Sequence, residues 1–120
     1  MLKPNGFPRD LRLTSKNQFE QTFLQSRKIP TKFCAIFYCQ NNLNHPRLGL
    51  VVPKKSIRHA NDRNTFKRVV RDSFRTNQQQ LGSIDIIVLS YKEAAQVSKK
   101  DLCQHLVKQW QRLIIPQKVL

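Results

Sequence analysis

Acidic residues are scarce in this 120-residue chain. Seven Asp and Glu stand against 22 Lys and Arg, which leaves a formal charge of +15 and a pI near 10.5. Such an excess opposes folding by self-repulsion unless a polyanion neutralises it. The composition therefore makes nucleic acid the first partner to consider.

Long apolar runs and paired cysteines are also absent from the sequence. The longest aliphatic run covers residues 86–89, whereas a membrane span needs about 20 residues. The amino terminus has no apolar segment of signal-peptide length. Three cysteines without a C-x-x-C pair fit neither a disulfide framework nor a four-ligand zinc site. We therefore expect a cytoplasmic protein with reduced thiols.

Groups that could carry catalysis are few and dispersed. The three histidines are not at metal-ligand spacing from one another, the acidic residues form no local cluster, and no Gly-rich phosphate loop occurs. We predict no catalytic residue and no metal ligand in this chain. If the outcome is hydrolysis, a partner supplies the catalytic groups.

The order of elements predicts a single α+β domain, a mixed sheet packed by three helices. Residues 1–14 are interpreted as a basic extended arm, 15–115 as the domain and 116–120 as a tail that follows the helix-ending Pro116. Within the domain, the pattern first predicts a helix capped by Ser15 and ending near Ser26, and then an antiparallel hairpin of residues 32–40 and 47–52. A helix over residues 56–76 follows, with Gly82 as a helix stop. The last predicted elements are a strand over residues 84–90 and a helix capped by Ser98. The strands that flank the central helix could pair in parallel, for which a right-handed crossover is the general rule.

Positive charge is concentrated between residues 47 and 75. This stretch holds nine Lys or Arg and two Asp. At 100° per residue its helical part separates an apolar face from a polar one. The apolar face contains Phe66, Val69, Val70 and Phe74, and the polar face contains Arg63, Asn64, Lys67, Arg68, Arg71 and Arg75. A solvated helix face is the simpler interpretation, but the near absence of acidic partners favours phosphate binding.

Two aromatic residues four positions apart, Phe19 and Phe23, share one face of the first helix. Such pairs usually belong to a core, but in an open groove they could stack on bases of a single strand. The following strand alternates between a face with Phe33, Ala35 and Phe37 and a face with Cys34, Ile36 and Tyr38. Either face could form the floor of that groove.

The stretch from residue 47 to residue 75 resembles the protein subunit of bacterial ribonuclease P. The family signature R-N-x-x-K-R-x-x-R is matched by Arg63, Asn64, Lys67, Arg68 and Arg71, after a strand followed by the paired lysines Lys54 and Lys55. Further agreement comes from FPRDLRL, QFEQTF, HPRLGLVV and DIIVLS, so that the resemblance spans about residues 6–113. The third signature position, often Arg in the family, is Thr65 here, and a strand position that can carry an aromatic is Ile36.

The resemblance implies a ribosomal-protein-like fold with a left-handed crossover. It also implies that the protein binds a catalytic RNA and the 5′ leader of precursor tRNA, and assists a Mg²⁺-dependent cleavage in which the RNA and substrate hold most of the metal. By position, the face toward the RNA subunit comprises Arg63, Asn64, Lys67, Arg68 and Arg71, flanked by Lys54, Lys55, Arg58 and Arg75. The leader groove comprises Phe19, Phe23, Cys34, Ile36 and Tyr38.

Three other functions compete with this hypothesis. A ribosomal protein of similar size and charge would bind rRNA and show no leader preference. A DNA major-groove reader would use residues 61–75, but no short turn joins a preceding helix to that segment. Binding to a membrane surface would require the apolar face of the basic helix to be free.

Overall fold

The computed structural model describes residues 12–119, with side chains up to residue 114. Most of the predicted arm, residues 1–11, lies outside the described residues, as does residue 120. The elements are α1 (Lys16–Gln25), β1 (Arg27–Pro30), β2 (Cys34–Gln40), β3 (Arg47–Val51), α2 (Ala60–Leu81), β4 (Ile84–Ser90), a 3₁₀ helix (Lys92–Gln96) and α3 (Lys99–Val119). Three α-helices and one four-stranded mixed sheet make the predicted α+β domain.

The sheet has the order β1-β2-β4-β3. Strand β4 pairs antiparallel with β2 and parallel with β3, so the predicted hairpin between residues 32–40 and 47–52 is wrong. The reason lies in β4, which is aliphatic over most of its length and almost entirely buried. A strand that is apolar on both faces takes the centre of a sheet, and β4 therefore separates β2 from β3. The parallel pairing across α2 is confirmed, whereas the left-handed crossover stays a prediction.

Both edges of the sheet contain features that the sequence pattern did not reveal. Strand β1 pairs antiparallel with β2, but its four residues are too few and too polar to show a strand period. At the opposite edge, the Leu13 amide donates to the Leu48 carbonyl at 2.9 Å. The chain just before α1 therefore covers part of the β3 edge.

Helices α2 and α3 pack on one face of the sheet and form the main core with it. The rings of Phe74 and Trp110 meet edge to face with centroids 6.3 Å apart, and Trp110 Nε1 donates to Ser73 Oγ at 2.8 Å. Phe66 and Val70 are also buried. The predicted apolar side of the basic helix is confirmed, and it is covered by this core.

The helix ends agree with the sequence in part. Ser15 and Gln18 form the predicted capping box of α1, and Ser98 Oγ accepts from the Asp101 amide at the start of α3. Helix α2 starts later than predicted and continues to Leu81, before Gly82 with φ 71°. The backbone of α3 continues through Pro116 to Val119, so the predicted end at Pro116 is wrong. A proline removes only one amide donor, and only one further turn of helix follows it.

Candidate nucleic-acid interface

The outward face of α2 presents a row of cations. Asn64, Arg68 and Arg71 are exposed and Lys67 is half-buried. Lys67, Arg68 and Arg71 form no ion pair with any residue that the structure describes. The apolar side of α2 fixes this row in place, because its burial in the core leaves the helix one orientation.

Arg63 is bound to the protein itself. Its Nη1 donates to the carbonyls of Ile57 and Arg58, at 3.0 and 2.8 Å. The loop that it holds carries Lys54, Lys55 and Arg58, all exposed. Arg63 therefore positions the loop before α2 and keeps these three cations next to the row on the helix.

Two further positions of the signature region also have partners within the protein. Arg75 Nη2 lies 3.0 Å from Asp72 Oδ1, so the charge of Arg75 is partly compensated. Thr65, the departure from the family signature, donates from its hydroxyl to the Asn61 carbonyl at 3.0 Å. Asn64, Lys67, Arg68 and Arg71 are thus the signature side chains without such a partner among the described residues.

Helix α1 lies on the face of the sheet opposite α2 and α3. The ring of Phe19 covers Gly49 of β3, and the ring of Phe23 meets Phe37 of β2 edge to face, with centroids 4.9 Å apart. Phe23 keeps 37% of its surface exposed, and Lys28 Nζ lies 5.7 Å from the Phe37 centroid. These contacts form an aromatic surface, with a cation beside it, between α1 and the sheet.

The predicted groove floor is on the wrong face of β2. Cys34 and Ile36 are fully buried in the core against α2 and α3, and Tyr38 is half-buried against the same core. Side chains alternate along a strand, so Phe37 faces α1 when Ile36 faces the core. Burial is also the main cause that raises the pKa of Cys34, which the Thr31 hydroxyl lowers in part. The structure therefore replaces Cys34, Ile36 and Tyr38 by Phe37 as the strand residue beside Phe23.

A cleft of about 230 Å³ joins the aromatic surface to the basic helix. We call it the cationic cleft. It is lined by Phe19 and Leu50 and by three cations, Arg12, Lys67 and Arg71. One ring and several cations therefore border the same opening, an arrangement that suits a single strand with its base on the ring and its phosphates on the cations.

A buried ion pair was not predicted from the sequence. Arg47 donates from Nε and Nη2 to the two oxygens of Asp85, at 2.9 and 2.7 Å, and Asn41 Nδ2 donates to Asp85 Oδ1 at 2.7 Å. Only 6% of the Asp85 side chain is exposed. These bonds are the main cause that raises the pKa of Arg47. A lone carboxylate in an aliphatic strand was the available signal, because such a group needs a partner.

Other types of site find little support among the described residues. No three His, Cys, Asp or Glu side chains within residues 12–119 are grouped so that they could hold a metal ion. The cysteines Cys34, Cys39 and Cys103 are not joined in disulfides. No helix in the described part of the chain is long and apolar enough to span a membrane.

The fold and this surface define a class of small, strongly basic α+β protein with a cationic helix beside an aromatic cleft. A sequence model of the Ribonuclease P family matches residues 7–114. The chain belongs to the ribonuclease P protein family.

Curated relatives and solved structures agree with this assignment. The chain is 43% identical to a ribonuclease P protein component of Vibrio cholerae over 113 residues, which cover 94% of this chain and 96% of the relative. It is 44% identical to that of Pseudomonas entomophila over 109 residues, which cover 90% and 82%. The structure of the RNase P protein from Thermotoga maritima matches with a TM-score of 0.74 at 26% identity, over 84% of this chain and 96% of that one. The structure from Staphylococcus aureus matches with a TM-score of 0.76 at 25% identity, over 82% and 90%.

Proposed function

We propose that this protein is the protein component of ribonuclease P and assists removal of the 5′ leader from precursor tRNA by endonucleolytic cleavage. The observation that carries the proposal is the cationic cleft, in which Phe19 and the α2 residues Lys67 and Arg71 line one opening. A strand that leaves the RNA beside α2 can enter the aromatic surface directly from there.

The two sides of this site have different partners in the proposal. The α2 row, with Lys54, Lys55 and Arg58 on the loop held by Arg63, contacts the catalytic RNA through its phosphates. Phe19, Phe23 and Phe37 hold the single-stranded leader by stacking, with Lys28 near its backbone. Support comes from the lack of acidic partners for Lys67, Arg68 and Arg71 among the described residues. It also comes from exposure, which is shared by Phe23 and by the cations Lys54, Lys55, Arg58, Arg68 and Arg71.

This division of contacts explains how the protein can assist a hydrolysis whose catalytic groups are supplied by the RNA. Only the precursor has a leader, so contacts to the leader favour the precursor over the mature product. The leader on α1 and the RNA on α2 are then held at a fixed distance by the sheet between them. The protein thereby orients the bond to be cleaved relative to the active site of the RNA.

The catalytic metal belongs to the RNA and the substrate in this proposal. Mg²⁺ prefers carboxylate and phosphate oxygens, and residues 12–119 offer no such cluster. When bound to the RNA, Mg²⁺ supplies the electrostatic stabilisation for attack of water on the phosphate. In this proposal, none of the described side chains of the protein binds the catalytic Mg²⁺.

The test is cleavage of an internally radiolabelled precursor tRNA by a bacterial ribonuclease P RNA at low Mg²⁺, with and without the full chain. We expect stimulation and a mature tRNA with a 5′-phosphate. Arg68→Ala/Arg71→Ala should lower the stimulation, whereas Lys99→Ala/Lys100→Ala removes the same charge from exposed positions of α3 and should not. A folded protein that binds RNA without stimulating cleavage would instead indicate a ribosomal-type RNA-binding protein.

A further inference from the structure

A second cleft lies on the other side of α1 from the two phenylalanines. Taking the buried Thr22 as the centre of the face toward the sheet, Phe19 and Phe23 lie to one side at 100° per residue, and Gln21 and Gln25 lie to the other. The cleft on the glutamine side has a volume of about 370 Å³ and is closed at its base by the ends of β2, β3 and β4. We call it the amide cleft.

Most of the side chains that line the amide cleft are amides. Five of them, Asn17, Gln21, Gln25, Gln40 and Asn42, make no side-chain hydrogen bond to any residue that the structure describes. Each amide offers two N–H donors and one carbonyl acceptor. The cleft therefore presents an unused set of both donors and acceptors to whatever enters it.

Arg47 gives the cleft one rigid donor group. Asp85 binds its Nε and Nη2, and Asn41 holds Asp85 in turn, so the guanidinium is fixed at its position in the cleft wall. Its Nη1 has no hydrogen-bond partner among the described residues. A fixed guanidinium keeps the outer Nη1 and Nη2 hydrogens available as a fork for two adjacent acceptors.

The charges of the two clefts differ. Arg47 and Asp85 are the only charged residues among the described residues that line the amide cleft, and their charges cancel. The cationic cleft across α1 has three cations and no acidic residue in its described lining. The amide cleft is therefore suited to a neutral, polar and planar ligand, whereas phosphates are drawn to the other side of the helix.

We infer that the amide cleft binds a single unpaired nucleobase, with guanine preferred. The O6 and N7 atoms of guanine are adjacent acceptors that match an arginine fork, and Asn and Gln amides bind the remaining base edges. Proteins that recognise single-stranded RNA commonly bind bases splayed out of the strand. The volume is within the range of about 300–1,000 Å³ that is usual for small-ligand sites. The inference rests on the proposed function in one respect only, namely that single-stranded RNA supplies the base.

The test is a titration of the full, ¹⁵N-labelled chain with guanosine 5′-monophosphate, followed by NMR. We expect saturable shifts of the side-chain amides of Gln21, Gln25 and Gln40 and of Arg47 Nε–H. Ribose 5-phosphate controls for binding through the phosphate, and the cytidine, uridine and adenosine monophosphates test the preference. Gln21→Ala/Gln25→Ala should weaken guanosine monophosphate binding about tenfold, by removal of two hydrogen-bonding groups. Gln104→Ala/Gln111→Ala, on the exposed side of α3, is the matched control.

The outcomes separate this site from the leader groove. Phe19→Ala should leave the guanosine monophosphate shifts intact, although the proposed function predicts that it weakens precursor tRNA binding. Equal shifts with ribose 5-phosphate, or none at millimolar nucleotide, would overturn the inference. Equal affinity for the four nucleotides would overturn the role of the Arg47 fork. The nucleotide titrations contain no tRNA, so their results do not depend on whether the protein assists ribonuclease P.

Discussion

Gly49 lies directly under the ring of Phe19. A Cβ at position 49 would stand 2.6 Å from Phe19 Cε1 and 2.8 Å from Cζ, closer than carbon atoms can approach. Because residue 49 of β3 has no Cβ, the Phe19 ring can lie on the sheet at this position. The ring thereby forms one wall of the cationic cleft.

Gly49→Ala should displace the Phe19 ring and so change binding as well as stability. We expect a loss of about 1–3 kcal/mol in the free energy of unfolding, typical of overpacking, measured by urea denaturation. The affinity for precursor tRNA should fall, because Phe19 no longer lines the cleft. Gly82→Ala is the control: its φ of 71° and ψ of −146° strain any other residue at a similar cost of about 1–3 kcal/mol, but a Cβ at position 82 would meet no atom within 4 Å, neither Phe19 nor any other. Equal losses of affinity in both variants would show that instability alone weakens binding.

Phe23→Ala should distinguish precursor from mature tRNA. Base stacking on an aromatic side chain contributes about 1–3 kcal/mol per base, so precursor binding to the holoenzyme should weaken by that amount while mature tRNA binding stays the same. Leu24→Ala, at a neighbouring position that is 87% exposed, should change neither. Filter-binding titrations of the two tRNAs provide the measurement. The assignment of Phe23 to the leader groove fails if both tRNAs lose affinity equally.

Elements with a clear hydrophobic pattern were predicted correctly from the sequence, whereas the face of β2 that lies beside Phe23 was not. In α2, the helical period alone places Phe74 on the apolar face and Arg71 on the polar face. Strand β4 is recognisable because it is apolar over nearly its whole length. By contrast, alternation along β2 offers two faces, and only the docking of α1 over Gly49 decides that Phe37, and not Ile36, lies next to Phe23. That choice depends on contacts between distant segments, which no local pattern contains.

The same limit explains the pairing of Arg47 with Asp85. These residues are far apart in the sequence and meet because β3 and β4 pair in parallel with Arg47 opposite Asp85. The expected parallel pairing of β3 with β4 carried no register, so the local pattern did not place Arg47 opposite Asp85. The missing register, together with the wrong position predicted for β2, concealed the amide cleft as well.

Arg63→Ala and Arg68→Ala should impair different properties, stability in the first variant and RNA affinity in the second, although both remove one arginine from α2. Without Arg63, the Ile57 and Arg58 carbonyls lose a charged donor, and we expect a loss of about 1–3 kcal/mol in stability. Arg68 is exposed and makes no ion pair with a described residue, so its removal should change stability by no more than about 0.5 kcal/mol. Arg68→Ala should instead lower RNA affinity and reduce the slope of log affinity against log salt by about one unit. An unchanged salt slope would argue against a phosphate contact at Arg68.

Asp85→Asn should be much more damaging than Asp72→Asn. It leaves the partly buried Arg47 without a counter-charge, which costs about 3–5 kcal/mol for a buried pair, and the lower end applies because 20% of the Arg47 side chain is exposed. The Asp72–Arg75 pair is 54% and 40% exposed, and such surface pairs contribute about 0–1 kcal/mol. Urea denaturation of both variants gives the comparison. Similar losses for both would mean that Arg47 is solvated well enough to stay charged alone.

His105 should make the stability depend on pH in the acid range. Burial, and then the charges of Lys108 and Lys32, lower its pKa from 6.5, while its Nε2 lies 2.9 Å from Thr31 Oγ1 and its ring meets Phe33 edge to face. Between the two pKa values the unfolded chain binds more protons than the folded one. The free energy of unfolding should therefore fall as the pH drops below about 6.5 and, on this account, level off below the folded pKa.

An NMR titration of the His105 ring measures this pKa directly. Lys108→Gln should raise it, because one of the two lysines that disfavour the imidazolium is lost. His105→Gln should remove this part of the pH dependence of the melting temperature. A midpoint at or above 6.5 in the folded protein would mean that Thr31 or solvent stabilises the protonated ring more than burial and the two lysines oppose it.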